Sequence, residues 1–335
     1  LLFGIFHFWS QTKIRPIVKK ANFATTNTAI VGNDPLVLEI VSAIGTPLWG
    51  MKVIAWFSDE AVNNNANIKT YPLSQLPDFN EPIDTLIVAG NKSEEITNTL
   101  YKSLTKPRRV IKLMDVYEQI YQKIPPQNIS TSWIIDSLTK GKRSGYVFIK
   151  RIYDIFLAII FLSISLPISP IIILLIKLTS RGPIFFTQKR AGYLGKEFLA
   201  IKFRTWHIGF ENEGPHLAQN NDPRVTTVGK FLRSVRLDEI PQLFNIIRGE
   251  MSFVGPRPER PELVEKYIEQ QPLYAQRLLT KPGLTGWAQI NQSYQEASDI
   301  NKKLAYDLYY LKYQSLALDI KIILKTINTI LSRNG

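Results

Sequence analysis

An uncharged apolar segment between Asp154 and Lys177 restricts the fold of this chain more than any other feature. Its 22 residues lie between those two charges without interruption. A straight helix of that length would measure about 33 Å, enough to cross a hydrocarbon core about 30 Å thick. A single membrane-spanning helix is therefore the simplest interpretation.

Two prolines in the middle of the segment argue against a simple span. Pro167 and Pro170 each remove a backbone hydrogen bond and bend the helix. The hydroxyls of Ser163, Ser165 and Ser169 can bond the carbonyls that the prolines leave without a donor. The segment can therefore bend sharply within a membrane.

Basic residues flank the segment on both sides, whereas a spanning helix concentrates them on one side of the membrane. They are Lys140, Lys142, Arg143, Lys150 and Arg151 before it, and Lys177, Arg181, Lys189 and Arg190 after it. This distribution indicates that both ends lie on the cytoplasmic side. We therefore predict a re-entrant helix over residues 150–178, which enters the membrane, bends at the prolines and returns.

Residues 21–124 contain short apolar runs that alternate with helical stretches, among them TAIVG, MKVIAWFS, IDTLIVAG and RRVIKLM. This alternation predicts a small α/β domain with a parallel sheet. The first run ends in VGNDPLVLEI, which keeps only Gly32 of the pattern G-x-G-x-x-G, and Pro35 and Leu36 place side chains where a pyrophosphate needs bare backbone. We expect a Rossmann-like domain with a regulatory or structural role.

Two further segments complete the predicted domain organisation. Residues 1–20 contain the apolar run LLFGIFHFWS, which is too short to span a bilayer by itself, followed by a basic run. We interpret them as the end of a truncated membrane helix and a basic linker. Residues 125–149 are turn-rich, and we predict that they connect the first domain to a second one over residues 150–335.

Composition limits the metals and partners that this chain can use. It has no cysteine and three scattered histidines among 335 residues, which excludes a disulfide framework and favours a hard cation with oxygen ligands over zinc. The formal net charge is +13, which suits anionic lipid or a phosphorylated substrate. No signature of a nucleic-acid-binding domain is present, so we expect no nucleic acid partner.

The stretch RSVRLDEIPQLFN places two adjacent carboxylates, Asp238 and Glu239, in a basic chain. One interpretation is structural, because Asp is a favoured helix N-cap, Glu suits the first turn and Pro is tolerated there. The other is chemical, because one carboxylate can attack phosphorus while its neighbour holds a cation. The two interpretations are compatible, since a helix N-terminus also stabilises phosphate.

From Lys150 onwards the chain resembles the bacterial sugar transferases, specifically the monotopic phosphoglycosyl transferases. The matching stretches are KRIYD, GPIFFTQKRAGYLGKEFLAIKFRT, DPRVTTVGKFLRSVRLDEIPQLFNIIRGEMSFVGPRPE, KPGLTGWAQIN and YDLYYLKYQSLALDIKIILKTI. The N-terminal domain is similar to that of the family's large members. The resemblance implies an α/β protein, in which a Rossmann-like parallel-sheet module precedes a mainly helical monotopic membrane transferase domain with a re-entrant helix.

The resemblance implies an enzyme that transfers a hexose-1-phosphate from a UDP-sugar to undecaprenyl phosphate, with Mg²⁺ and through a covalent aspartyl-phosphosugar intermediate. It implies contact with membrane lipids at the bacterial inner membrane, an active site on the cytoplasmic face, and a role in starting exopolysaccharide, capsule or O-antigen assembly. A homodimer is left open. The alternatives are a non-catalytic membrane scaffold, or a nucleotide-sugar oxidoreductase or epimerase that uses the N-terminal domain.

The resemblance also implies roles for individual residues. Asp238 would be the nucleophile, and Glu239 together with Asp238 would hold Mg²⁺. The side chains of Lys202 in KFRT, Arg233 in FLRS and Arg257 in VGPRPE would contact the phosphates and the nucleotide. Asp307 in YDLYY would not contact the substrate itself but would hold the contacting residues in position.

Two features near the C-terminus leave alternatives open. Trp287 could lie at the headgroup level or pack internally, and internal packing is favoured. The stretches YDLYYLKY and LDIKIILKTINTIL could form core helices or lie along the membrane interface. Many relatives continue WAQIN with Gly-Arg, whereas Gln292 and Ser293 follow here, so the identity of the sugar is not carried over from the family.

Overall fold

The computed structural model describes residues 26–44, 50–60, 68–90, 94–103, 108–129, 144–207, 222–292 and 299–332. The chain divides into two units, Leu1–Gln122 and Lys123–Gly335. The membrane-helix end and linker predicted for residues 1–20 lie outside the described residues, as do Lys140, Lys142 and Arg143 of the flanking basic residues.

The first unit contains a five-stranded sheet in the order β3-β2-β1-β4-β5, and all of its paired strands are parallel. The strands are β1 (Thr26–Val31), β2 (Met51–Phe57), β3 (Thr70–Tyr71), β4 (Thr85–Val88) and β5 (Arg109–Lys112), and the helices are α1 (Leu36–Ile44), α2 (Glu94–Ser103) and α3 (Leu113–Tyr121). The predicted parallel-sheet α/β module is therefore confirmed.

Both faces of this sheet are covered. Successive residues of β1 point to opposite faces, so Ile30 packs with residues of α1 and α3, whereas Ala29 and Val31 pack with a second cluster that includes Leu73 and Leu76. All of these side chains are at most 6% exposed. Burial on two faces explains why the strands appear in the sequence as nearly continuous apolar runs.

Gly32 allows the end of β1 to approach β4 closely. Its φ angle of +96° lies in the left-handed region, and a Cβ atom at this position would lie 2.3 Å from the carbonyl oxygen of Ala89. The one glycine that remains of the dinucleotide-binding pattern therefore has a packing role between two adjacent strands.

The second unit is mainly helical. Its helices are α4 (Ser144–Ser165), α5 (Ser169–Thr179), α6 (Thr227–Ser234), α7 (Gln242–Arg248), α8 (Pro261–Gln270), α9 (Trp287–Asn291), α10 (Ile300–Tyr313) and α11 (Leu316–Leu331). The antiparallel pair β6 (Phe185–Ala191) and β7 (Glu197–Phe203) and the parallel pair β8 (Ser252–Val254) and β9 (Gly283–Thr285) complete the unit.

The apolar segment forms two helices with a break between them. Within the described ranges, no single helix has the length and apolar character needed to cross a membrane, whereas α4 and α5 meet this requirement together and are bent by 64°. Pro167 lies in the break and Pro170 lies in the first turn of α5. Ser165 Oγ donates to the carbonyl of Leu162 at 2.9 Å, and Ser169 Oγ donates to the carbonyl of Ser165 at 2.8 Å.

Two of the flanking basic residues make contacts inside the protein. Lys150 is buried and its Nζ lies 2.7 Å from Asp319 Oδ2 on α11. Arg151 donates to the carbonyls of Ile246 and Ile247 at 2.6 Å each. Because these carbonyls belong to the last turn of α7, the guanidinium also opposes the negative end of that helix. Both residues attach α4 to the rest of the unit.

The core of the second unit lies where α4, α7, α10 and α11 meet β8. Its members include Ala158, Leu243, Ile246, Met251, Val254, Trp287, Tyr310 and Ile322. Trp287 is 1% exposed, so it packs internally, as the sequence favoured. The carboxylate of Asp154 accepts bonds from Ser252 Oγ and the amide of Phe253 at 3.0 Å each, which joins α4 to β8.

The segment that follows α3 packs against the second unit. Ile124 is fully buried, and its amide donates to the carbonyl of Ala305 in α10 at 2.9 Å. Ile124 and Ile129 join an apolar cluster with Leu304 and Leu308. Ile124, at the end of the predicted first domain, and Ile129, in the predicted connection, both pack with residues of α10.

Candidate active site

Asp238 and Glu239 lie in a short 3₁₀ turn, Leu237–Glu239, between α6 and α7. Both residues are buried, at 8% and 7% exposure. Arg236 precedes the turn with a left-handed φ of 56°, and α7 begins only after Pro241. Asp238 therefore lies inside the 3₁₀ turn and does not cap α7, whose N-cap is Pro241, so the structural interpretation of this residue is not borne out.

Three cations surround the carboxylate of Glu239. Lys202 Nζ and Arg257 Nη2 lie 2.7 and 3.5 Å from its Oε1, and Arg236 Nη1 lies 4.0 Å from its Oε2. Burial alone would raise the pKa of Glu239, but the charges of Lys202 and Arg257 outweigh it and lower this pKa to about 2. Glu239 is therefore a stable anion that gathers positive charge at the turn.

The carboxylate of Asp238 has a different environment. Among the residues that the structure describes, it forms no hydrogen bond and has no cation within ion-pair distance. Burial and the adjacent charge of Glu239 raise its pKa, against the opposing effect of Lys202, Arg233 and Arg257. A buried carboxylate without direct bonds has its oxygens available for reaction.

Two sheet elements bring distant cations to this turn. Lys202 lies on β7, where it pairs with Phe186 of β6. Arg257 follows β8 in the turn Gly255–Pro258, and a Cβ atom on Gly255 would lie 2.3 Å from the carbonyl oxygen of Lys281. This close approach fixes the turn against the strand that leads to β9, while the Arg257 side chain remains 41% exposed towards the site.

Arg233 occupies a neighbouring position and forms no ion pair with either carboxylate. Its Nε donates to Thr205 Oγ1 at 2.9 Å, and its guanidinium carbon lies 4.5 Å from the ring centre of Trp206. Arg224 lies over the same ring at 4.8 Å. Arg233 therefore belongs to a basic and aromatic surface beside the turn.

Asp307 does not contact the carboxylate pair and is linked to it through Arg277 and the backbone of Arg257. It is 1% exposed on α10, and its Oδ2 accepts a bond from Arg277 Nε at 2.6 Å. Arg277 Nη2 in turn donates to the backbone carbonyl of Arg257 at 3.0 Å. The structure thus places Asp307 behind the backbone that presents Arg257.

Sequence reasoning missed Arg236, Arg277 and Glu259. Arg236 stands three residues before Glu239 in VRLDE, a spacing that favours an ion pair only when the turn is helical. Glu259 forms an ion pair with Lys303 of α10, and Arg190 Nη1 lies 4.0 Å from its other oxygen. For Glu259 and Arg277, the partners are far away in the sequence, so no local spacing signals them.

The donor set at the turn fits a magnesium ion. The described part of the chain contains no group of three or more metal-ligating side chains. Mg²⁺ is usually held by one or two carboxylates, with water and substrate phosphates as the other ligands. Asp238 and Glu239 supply two adjacent carboxylates, and the oxygen-only chemistry matches a hard cation.

Comparison with known proteins assigns the family. The bacterial sugar transferase family matches residues 145–333, a range that contains the carboxylate pair, all the surrounding cations and both bent helices. The chain belongs to this family. The resemblance inferred from the sequence motifs is therefore confirmed.

Several curated proteins are similar to this member of the family. A protein of Aeromonas hydrophila, named UDP-N-acetylgalactosamine-undecaprenyl-phosphate N-acetylgalactosaminephosphotransferase, is 43% identical over 57% of this chain and 45% of its own length. The UDP-glucose:undecaprenyl-phosphate glucose-1-phosphate transferase of Escherichia coli (strain K12) is 41% identical over 53% of this chain and 39% of its own length. The chain thus spans less than half of these two relatives.

A third relative also covers the N-terminal unit. The undecaprenyl-phosphate galactose phosphotransferase of Salmonella typhimurium is 29% identical over 95% of this chain and 71% of its own length. The three relatives are named for three different sugars. Membership in the family therefore leaves the sugar open.

Proposed function

We propose that this protein transfers a hexose-1-phosphate from a UDP-sugar to undecaprenyl phosphate through a covalent intermediate on Asp238. The observation that carries the proposal is a buried carboxylate without direct bonds, placed beside a second carboxylate that three cations surround. The names of the relatives, which pair a sugar phosphate with undecaprenyl phosphate, support the same reaction.

In the first step, an oxygen of Asp238 attacks the phosphorus that carries the sugar. The bond from that phosphorus to the bridging oxygen breaks, UMP leaves with the bonding electrons, and the sugar phosphate remains on the carboxylate. In the second step, a phosphate oxygen of undecaprenyl phosphate attacks the same phosphorus and releases Asp238. The phosphate groups act as anions, so neither step requires a proton.

The cations at the turn counter the charge that this reaction concentrates. A diphosphate and a carboxylate repel each other, and both approach the same small volume. Lys202 and Arg257 can bond diphosphate oxygens while they remain close to Glu239, and the planar guanidinium suits two oxygens at once. Their positions on β7 and after β8 hold them in place before the substrate arrives, which limits the reorganisation during reaction.

Magnesium would be held by Glu239 and Asp238 together with oxygens of the diphosphate. When bound, the ion supplies further neutralisation of phosphate charge and orients the leaving group. Glu239 keeps its negative charge through the whole physiological pH range, because its pKa is lowered to about 2, and so remains available as a ligand.

The bent pair of helices α4 and α5 supports a re-entrant membrane anchor. Large apolar side chains project outwards along both helices, among them Phe156, Ile159, Ile164, Leu166, Ile171, Leu174 and Leu178. Such a surface is stable in a hydrocarbon layer and costly in water. We place the protein at the bacterial inner membrane with its active site on the cytoplasmic face, where lipid-linked polysaccharide assembly begins. The first unit has a regulatory or structural role.

Release of UMP from UDP-sugars tests this reaction. Membranes that contain the full chain, supplied with undecaprenyl phosphate and Mg²⁺, are assayed with a panel of UDP-sugars, which also identifies the sugar. We expect Asp238→Asn to abolish UMP release, because an amide oxygen is a poor nucleophile. Asp78→Asn changes an exposed aspartate of the first unit and serves as the matched control with full activity. Undiminished turnover in Asp238→Asn would refute the assignment of the nucleophile.

A further inference from the structure

Helix α11 exposes an apolar stripe along one side. Ile320, Leu324 and Ile327 are 56%, 42% and 43% exposed, whereas Asp319 and Ile322 on the opposite side are fully buried. Residues three and four positions apart lie on one face of a helix, so the three exposed residues form a continuous surface. A helix with a solvent-exposed apolar stripe and lysines beside it is typical of helices that lie along a membrane interface.

Two lysines border this stripe and share one aromatic ring. Lys321 and Lys325 are four residues apart on α11, and their Nζ atoms lie 4.9 and 5.2 Å from the ring centre of Trp287. Trp287 is 1% exposed, so the ring is fixed in the core. Lys325 Nζ also donates to Asn291 Oδ1 at 3.4 Å, which directs its ammonium group towards α9.

The surroundings of both ammonium groups disfavour their positive charge. Burial and the charge of Lys325 lower the pKa of Lys321 to about 8, and burial also lowers the pKa of Lys325. The ring offers partial compensation through its negative face. An anion that contacts both groups would favour their charged forms and would raise both pKa values towards the ordinary value of lysine.

We propose that Lys321 and Lys325 bind the headgroup phosphate of an anionic phospholipid, whose acyl chains extend over Ile320, Leu324 and Ile327. Lysine stems can lie along apolar surface while their charges reach the headgroup layer. The apolar stripe is an open surface that any bilayer lipid can reach. The acceptor phosphate of the proposed reaction, by contrast, must approach Asp238, beside the cations Lys202, Arg236 and Arg257 that surround Glu239. This binding site is separate from the transfer reaction.

Lipid binding to the purified full chain tests the proposal. The protein in detergent is titrated separately with phosphatidylglycerol, phosphatidylcholine and undecaprenyl phosphate, and native mass spectrometry counts the bound lipids. We expect the double variant Lys321→Gln, Lys325→Gln to bind phosphatidylglycerol about 10- to 30-fold more weakly, because each lysine near an anionic surface contributes roughly fivefold. Glutamine keeps the stem against Trp287, and binding of phosphatidylcholine is expected to stay unchanged.

Three further variants separate this site from general effects. Lys321→Arg with Lys325→Arg keeps the charge and should retain phosphatidylglycerol binding. Lys52→Gln with Lys266→Gln removes the same charge from exposed positions elsewhere and should also retain it. Lys325→Gln alone, should the double variant misfold, is expected to weaken binding about fivefold.

Two results would overturn the proposal. One is phosphatidylglycerol binding that is equally tight in the double glutamine variant and in the Lys52 and Lys266 control. The other is a loss confined to undecaprenyl phosphate, which would assign the lysines to the acceptor. Asp238→Asn should bind phosphatidylglycerol normally, so a failure of the transfer proposal and a failure of the lipid proposal give different results.

Discussion

Asp238 and Glu239 are neighbours in the sequence, but different groups surround their carboxylates. Glu239 is bonded by Lys202 and faces two guanidinium groups, which lowers its pKa to about 2, whereas burial and Glu239 raise the pKa of Asp238. Paired carboxylates with unequal environments are a common way to divide two chemical roles. Here the division favours Glu239 as the permanent anion and Asp238 as the reacting group.

Lys202 is the side chain whose loss should most clearly weaken substrate turnover. We expect Lys202→Gln to lower kcat/KM for UMP release about 100-fold, as for removal of one preorganised donor to an oxyanion. Lys189→Gln provides a matched control on the facing strand of the same hairpin, since Lys189 is 70% exposed and its pair with Glu197 contributes little. Equal activities in the two variants would contradict the role of Lys202.

At the residue scale, sequence motifs predicted the carboxylate pair, Lys202 and Arg257, and the structure brings these four together. They did not predict Arg236, whose contribution depends on a left-handed backbone conformation that is uncommon for a bulky residue. They placed Arg233 with the phosphate contacts, which stays a prediction, and they did not predict that its guanidinium bonds Thr205 and lies over Trp206. Side-chain partners of this kind depend on folded geometry that spacing does not encode.

At the scale of elements, a buried ion pair joins the Arg257 turn to α10. Glu259 and Lys303 are 14% and 15% exposed and bond each other directly. Burial alone would raise the pKa of Glu259, but Lys303 and Arg277 outweigh it and lower this pKa below the ordinary value of 4.5. A carboxylate with a lowered pKa stabilises the fold above its unfolded pKa and loses this contribution as the pH falls through the folded value.

Acid stability should therefore depend on Glu259. We expect Glu259→Gln to reduce the free energy of unfolding by about 3 kcal/mol at neutral pH, because it leaves Lys303 buried without its anion. The difference from the unmodified protein should begin to shrink as the pH falls below about 4.5, where Glu259 of the unfolded chain takes up a proton first, and should disappear only below the lowered pKa of the folded state. Thermal unfolding of both proteins at neutral pH and at acid pH measures this difference, with the exposed Glu262→Gln as the control. A destabilisation that is the same at both pH values would contradict an ionic contribution of Glu259.

The helices α4 and α5 allow a direct test of membrane topology. The chain has no native cysteine, so single cysteines report on one site each. Gly145→Cys adds a side chain in open space at the start of α4, and Lys189→Cys lies at an exposed position after α5. A re-entrant pair predicts that an impermeant maleimide labels both cysteines in inverted vesicles and neither in spheroplasts.

The opposite topology would give a distinct labelling pattern. Labelling of one of the two cysteines in spheroplasts would restore a simple span. A third cysteine, Lys266→Cys at an exposed position of α8, controls for leakage of the reagent. It lies in the unit that carries the proposed cytoplasmic active site, so its labelling in spheroplasts would show that the reagent had crossed the membrane.

Helices and strands were predicted best where a local sequence feature is enough to determine them. Alternating apolar runs predicted the parallel sheet, because both of its faces are buried, and two prolines predicted the position of the bend. The docking of Ile124 on α10 and the 3₁₀ turn at Asp238 were not predicted. Both depend on contacts between distant segments, which override the local preference of Asp and Pro for a helix start.

At the scale of the whole molecule, the matched family region and the second unit nearly coincide. The family match begins at residue 145 and the second unit at Lys123, so the catalytic proposal rests on one compact unit. The segment Lys123–Ile129 belongs to the second unit, where Ile124 and Ile129 pack with Leu304 and Leu308. The sequence predicted two domains from the change in pattern, and the bounds given for them stay a prediction.

In the proposed reaction Asp238 carries the sugar phosphate between two half-reactions, and the loaded carboxylate can be detected on the protein itself. The full chain is mixed with UDP-sugar and Mg²⁺ without undecaprenyl phosphate, quenched, and examined for released UMP and for the mass of the peptide that contains Asp238. We predict a burst that approaches one UMP per protein chain and a sugar-phosphate adduct on that peptide, both absent in Asp238→Asn. Absence of burst and adduct in a preparation that turns over once acceptor is added would contradict the account.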